Sequence, residues 1–268
     1  MTFDADVTGS GPPLLMLHGW PFHKATFRNL APLLSDSFEC HALNARGMDD
    51  RPLARGERLT FESHAKRVLA YFDAQGWPRA TILAHDTAGT YARLLAADAP
   101  ERIERLILLN TEIPGHRPPF IPLYRTLSRL PLYHQSFRML MRSTRFQRSP
   151  QGFGGCFCDL SLIDREFIAL FGAHWFETKD RFWRLMRYLQ GVDFAVVDAL
   201  DATHQRIRAP THFIWGAEDR TFPLDLGRAM AERMPSLSSF TPIGATRFLP
   251  HEERPDAVAK AVRGAHAM

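Results

Sequence analysis

The chain has 268 residues, 45% of them hydrophobic and 23% charged, and a formal net charge of +4. That length fits one large domain, or a core carrying an inserted subdomain, with enough apolar content for a sizeable core. No apolar run approaches the roughly 20 residues that span a bilayer, the arginines scattered through 125–148 and 181–187 make no nucleic-acid motif, and the three cysteines make no disulfide framework.

The chain begins with the acidic stretch Met1-Thr2-Phe3-Asp4-Ala5-Asp6, which lacks a positively charged start, so no signal peptide is expected. With Cys40, Cys156 and Cys158 read as reduced thiols, a cytoplasmic protein is expected; Cys156-x-Cys158 alone lacks zinc-site spacing. The run at 14–18 is continuously apolar up to His18 and stops at Gly19, as in strands buried on both faces of a parallel sheet. Similar runs recur at 39–43, 81–84, 105–110 and 211–215, with helical patterns at 61–75, 87–98 and 226–233 between and after them. This alternation predicts an α/β fold whose ligand site lies at the carboxyl ends of the strands.

The rhythm breaks between Pro114 and Arg208. The stretch opens on Pro114-Gly115-His116-Arg117-Pro118-Pro119 and then carries helical patterns at 124–130, 135–142, 164–171 and 180–190. A helical cap over 115–207 is expected, inserted into a core of 1–114 and 208–268, because the strand at 211–215 and a final helix at 256–265 resume the alternation. Gln151-Gly152-Phe153-Gly154-Gly155 is read as a short flexible turn, and the arginines of 125–148 and 181–187 as a solvated basic face from which an anionic substrate would also benefit.

The segment Thr81-Ile82-Leu83-Ala84-His85-Asp86-Thr87-Ala88-Gly89 carries the chemistry. A buried strand runs into a turn of small residues, and a helix follows at once. This is the layout of a nucleophile elbow, with Asp86 as the turn residue. A carboxylate there suits attack on an sp³ carbon and leaves an alkyl ester. The following helix's N-terminus favours an anion, so Asp86 is expected to be ionised. The competing reading is a helix N-cap, which aspartate also makes well.

Taken together, the motifs resemble those of the α/β-hydrolase superfamily, and in particular its haloalkane dehalogenase and epoxide hydrolase branch. His18-Gly19-Trp20-Pro21 looks like the HGxP oxyanion loop, and Asn44-Ala45-Arg46-Gly47-Met48-Asp49 like the D-x-R-G-x-G turn with two departures. Trp215-Gly216-Ala217-Glu218-Asp219 looks like the acid loop, and Glu253-Arg254-Pro255 like the start of the last helix. The resemblance implies an α/β-hydrolase fold, a mostly parallel sheet flanked by helices with a helical cap. It implies oxyanion donors from the backbone of Trp20 and Thr87, and an orienting acid at Asp219 or, as in some dehalogenase relatives, at Glu112. The base histidine of such proteins falls here in Thr246-Arg247-Phe248, where there is none. His251, four residues before Pro255, is the substitute expected from sequence.

The resemblance implies a cofactor-free hydrolase that forms an alkyl ester on Asp86. Epoxides are favoured over halides because Thr87 stands where haloalkane dehalogenases usually carry tryptophan. Tyr124, Tyr133 and Tyr188 are candidates for protonating an epoxide oxygen, and His174-Trp175 resembles the cap pair of haloacetate dehalogenases. A haloalkane or haloacid dehalogenase is the first alternative. A ligand-binding pseudoenzyme, or a lyase or isomerase using Asp86 for proton transfer, is the second. The expected partner is a small apolar electrophile, with no nucleic acid, membrane or metal, and the expected state is a monomer or homodimer.

Overall fold

The structure, a computed structural model, describes residues 3–267. Among these residues seven strands form one sheet: β1 (Ala5–Thr8), β2 (Pro13–Leu17), β3 (Glu39–Leu43), β4 (Ala80–His85), β5 (Ile103–Leu109), β6 (Thr211–Gly216) and β7 (Leu237–Ile243). Their spatial order is β1-β3-β2-β4-β5-β6-β7. Only β1 pairs antiparallel, against β3; every other neighbour is parallel. The mostly parallel α/β sheet expected from the sequence is therefore present.

β4 and β6 are buried at every position, which is why they read as unbroken apolar runs. Alternate residues feed two cores. Leu15, Leu17, Ile82, Leu106 and Leu108 face one, and Leu14, Met16, Leu83, Ile107 and Leu109 the other. Helix Phe61–Gln75 starts where Thr60 accepts a hydrogen bond from the Ser63 N–H and stops at Gly76, whose φ of 69° suits a residue without Cβ.

β1 and β7 lack a clear sequence signal for physical reasons. β1 is an edge strand with three of four residues exposed, and β7 carries Ser238, Ser239 and Thr241 among its apolar residues. Between β5 and β6 every described helix or strand element is helical. The pattern expected at 164–171 is broken, with an α turn Arg165–Phe167 passing into a π-helix Ile168–Ala173. The glycine run is not a flexible turn. A Cβ on Gly152 would lie 2.4 Å from the Phe146 carbonyl oxygen, and one on Gly154 2.1 Å from that of Arg148, so the backbone is packed hard against residues 146–150.

The helical stretch is fastened over the carboxyl ends of the strands. Trp20 donates its indole N–H to the Leu185 carbonyl at 3.1 Å, and the Arg184 guanidinium donates to the Asp49 carbonyl. A Cβ on Gly191 would stand 2.0 Å from the Leu59 carbonyl oxygen, so helix Lys179–Gly191 meets the core backbone without a gap.

Candidate active site

β4 delivers Asp86 at its carboxyl end, and helix Thr87–Asp98 begins at the next residue. Asp86 has φ 53° and ψ −131°, outside the regions a residue with Cβ prefers, at a cost of about 1–3 kcal/mol. As an N-cap it would have extended backbone and accept from its own helix. Instead its side chain makes no capping bond, and its Oδ2 accepts from the Trp20 backbone N–H at 2.9 Å. The Thr87 N–H is the second backbone donor to this carboxylate.

Small residues permit the turn. A Cβ on Gly19 would lie 2.2 Å from the Asp86 Cβ and 2.4 Å from its Oδ2, and one on Gly89 would lie 2.2 Å from Thr111 Oγ1. Gly19→Ala must therefore push the Asp86 carboxylate off its donors. We expect about 1–3 kcal/mol of lost stability, read by thermal melting. An unchanged melting temperature would contradict the packing described here.

Asp86 opens into a cavity of about 280 Å³. Its walls are mainly apolar, with Phe120, Phe137, Met141 and Leu189 from the helical stretch and Phe248 from the last loop. The ionisable side chains lining it are Asp86, Glu112, Tyr124, Cys156, Arg220 and Arg247. Among the described residues no imidazole belongs to the lining. No group of three or more His, Cys, Asp or Glu side chains could hold a metal ion among the described residues.

The two carboxylates face one problem. Burial pushes the Asp86 carboxyl well above the usual range, and the charge of Glu112 pushes it further, against the pull of the Thr87 and Trp20 N–H groups. The sequence-based expectation of a readily ionised Asp86 is thereby corrected, because desolvation outweighs the helix dipole. Glu112 is also raised by burial, and opposed first by Arg93. Its Oε2 lies 2.9 Å from the Thr90 hydroxyl and 3.0 Å from that of Thr111. The same Thr111 hydroxyl stands 2.8 Å from the Asp86 backbone oxygen, so one side chain links the two acids. Arg93, fully buried, donates to the Glu112 carbonyl at 2.9 Å and lies 4.0 Å from its carboxylate. Sequence reasoning missed Arg93; the signal was a lone arginine in the apolar helix Thr87–Asp98.

Asp219 has no histidine to orient. Its Oδ2 accepts from the Asn110 amide at 2.7 Å and its Oδ1 from the Thr221 N–H at 2.8 Å. Burial raises its pKa from 3.8 to about 7 despite these donors. A carboxyl raised on folding contributes stability that is present below its unfolded pKa and lost as pH climbs through the folded value. Wild type should thus lose stability relative to Asp219→Asn between about pH 4 and pH 7, by at most ~1.4 kcal/mol per pH unit. Denaturant titrations of both proteins across that window test this, and parallel pH profiles would refute it.

His251 does not reach the cavity. It sits in the short helix Pro250–Glu253, fully buried, with Nε2 2.9 Å from the Thr26 hydroxyl and its ring 4.8 Å from that of His85 and 5.3 Å from that of Phe27. Burial holds its pKa well below 6.5. The preceding loop directs Arg247 and Phe248 to the cavity instead. Tyr124 lines the cavity and donates to the Gln151 carbonyl at 3.0 Å. Tyr188 stands behind Thr87, its hydroxyl 3.2 Å from Thr87 Oγ1. Tyr133, His174 and Trp175 are not in the lining: Tyr133 stacks on Phe137, while His174 and Trp175 pack against His23.

Comparison with known proteins agrees with this frame. An uncharacterized hydrolase of Bacillus subtilis, YugF, is 23% identical over 247 residues, 92% of this chain and 87% of that protein. A soluble epoxide hydrolase of Corynebacterium sp. is 32% identical over 109 residues, but that match spans only 40% of this chain and 37% of the relative. An alpha/beta hydrolase fold protein from Burkholderia ambifaria superposes with a TM-score of 0.79 at 20% identity, covering 97% of this chain and 93% of that one. The family described as alpha/beta hydrolase fold matches residues 12–254, from the start of β2 to the short acidic helix beside Arg254, and the chain belongs to that family.

Proposed function

We propose that the protein is a hydrolase of small or medium electrophiles, epoxides foremost, with Asp86 as nucleophile and Glu112 as proton carrier, under a lid formed by the helical stretch. One observation carries this reading: Asp86, held on the Trp20 N–H, shares an apolar cavity with one other carboxyl group and no imidazole. Two neighbouring buried carboxyls cannot both ionise cheaply, so the pair holds one proton. In the reactive form Asp86 is the carboxylate and Glu112 the acid. Asp86 attacks an epoxide carbon, the C–O bond breaks, and the proton of Glu112 goes to the departing oxygen. Esterified Asp86 carries no charge, so Glu112 loses its like-charge neighbour and stays ionised. It then takes a proton from water as hydroxide adds to the ester carbonyl. The oxyanion forms against the Trp20 and Thr87 N–H groups. Collapse expels the diol oxygen, which takes the proton of the new Asp86 carboxyl, and the starting state returns.

The cavity's donors favour epoxide over halide. The Trp20 indole N–H is engaged by the Leu185 carbonyl, and no tryptophan follows Asp86. The test is a single turnover of a styrene oxide panel in ¹⁸O water. The first-turnover diol should be unlabelled, with ¹⁸O in the peptide containing Asp86. Label in the first diol and none in Asp86, or no reaction across the panel, overturns the proposal.

A further inference from the structure

Arg247 lies in the segment Thr246-Arg247-Phe248, where the family resemblance implied a base histidine. It lines the cavity, yet its Nε is shielded from solvent and has no hydrogen-bond partner. The nearby acids make their hydrogen bonds to other groups, although the Glu253 carboxylate lies within reach of the Arg247 charge. Glu253 accepts the backbone N–H groups of Arg247 at 2.7 Å, Cys158 at 2.7 Å and Asp159 at 3.3 Å. Glu218 accepts the Cys158 thiol at 3.4 Å. Arg220, exposed at the rim, lines the same cavity. Among the described residues neither guanidinium forms an ion pair. The fully buried arginines are matched, Arg93 beside Glu112 and Arg184 beside Asp180; the half-buried Arg125 and Arg187 share an unpartnered Nε with Arg247 but lie over the rings of Phe194 and Trp183.

A part-buried guanidinium with no carboxylate in direct contact is well placed to take an anion from a ligand. An arginine presents a planar fork that suits a carboxylate. We propose that Arg247, with Arg220 at the rim, is an anion-recognition site, and that the substrate is an electrophile bearing a carboxylate. The carboxylate on Arg247 would hold the reactive carbon toward Asp86 and keep the negative group away from the Asp86–Glu112 pair. This deepens the proposed function, and rests on it only for which cavity the substrate enters. It departs from the apolar substrate expected from the sequence.

Matched probes test it without any chemistry at Asp86. Phenylacetate and phenylacetamide have the same shape and differ in charge. By titration calorimetry phenylacetate should bind about ten-fold more tightly, and added salt should weaken phenylacetate alone. Arg247→Gln should bring the two probes to within about two-fold, while Arg247→Lys, which keeps the charge, should retain part of the preference. Equal affinities in wild type, or a preference that survives in folded Arg247→Gln protein, overturns the inference; the salt series on wild type decides it even if that variant does not fold. The preference should persist in Asp86→Asn protein. Asp86 labelling without carboxylate preference sinks this inference alone, and preference without labelling sinks the hydrolase mechanism alone.

Discussion

Asp86→Asn should abolish covalent capture and reduce turnover by roughly four orders of magnitude or more, as loss of a nucleophile does elsewhere. The amide oxygen can still accept from the Trp20 N–H, so the elbow should keep its shape. The variant should also be the more stable protein. Burial and Glu112 raise the Asp86 pKa, so the wild-type fold is stable while that carboxyl is protonated and loses stability as pH rises through the raised value. Asparagine has no such titration. The melting temperature of Asp86→Asn should therefore exceed that of wild type, by a margin that widens with pH. A catalytic group whose removal stabilises the fold is the expected mark of a site selected for reactivity. Retained turnover, or a variant less stable at every pH, would show that Asp86 is a structural turn residue.

Much of the fold and the elbow itself are legible in the amino-acid sequence. β2 to β6 stand out because they are buried on both faces. The elbow stands out because only small residues fit where Gly19 and Gly89 approach Asp86 and Thr111. Choosing between Glu112 and Asp219 is beyond the sequence, since both follow strands that lie side by side in the sheet. The choice depends on Asn110, whose φ of 28° turns its amide onto Asp219 and whose Oδ1 takes the Gly216 N–H at 2.9 Å. That pairing satisfies Asp219 locally and leaves Glu112 facing the cavity. His251 misleads for a similar reason. An offset of four residues in a loop says nothing about direction, and here the intervening backbone turns Phe248 onto His85, whose Nε2 meets the Phe248 carbonyl at 2.9 Å, and buries His251 beneath them.

Glu112→Gln should turn the enzyme into a trap. Attack on an epoxide carbon needs Asp86 as the carboxylate, and glutamine removes the negative neighbour that raises its pKa. The pH profile of single-turnover alkylation should therefore shift to lower pH, and its rate should fall as well, because glutamine has no proton to give the departing oxygen and water must supply it. The next step needs a base, and glutamine cannot take a proton from water. Deacylation should slow further, about 10²–10⁴-fold, so that intact mass spectrometry finds the ester accumulating on Asp86 while steady-state turnover falls. His251→Gln is the counterpart. A buried imidazole bonded to Thr26 and set edge-on against His85 contributes to packing, so its loss should lower the melting temperature and leave turnover within about three-fold of wild type. The two variants separate the candidate bases: ester accumulation in Glu112→Gln protein alone assigns the water-activating proton to Glu112, and accumulation in His251→Gln protein alone would return it to the histidine through a rearranged loop.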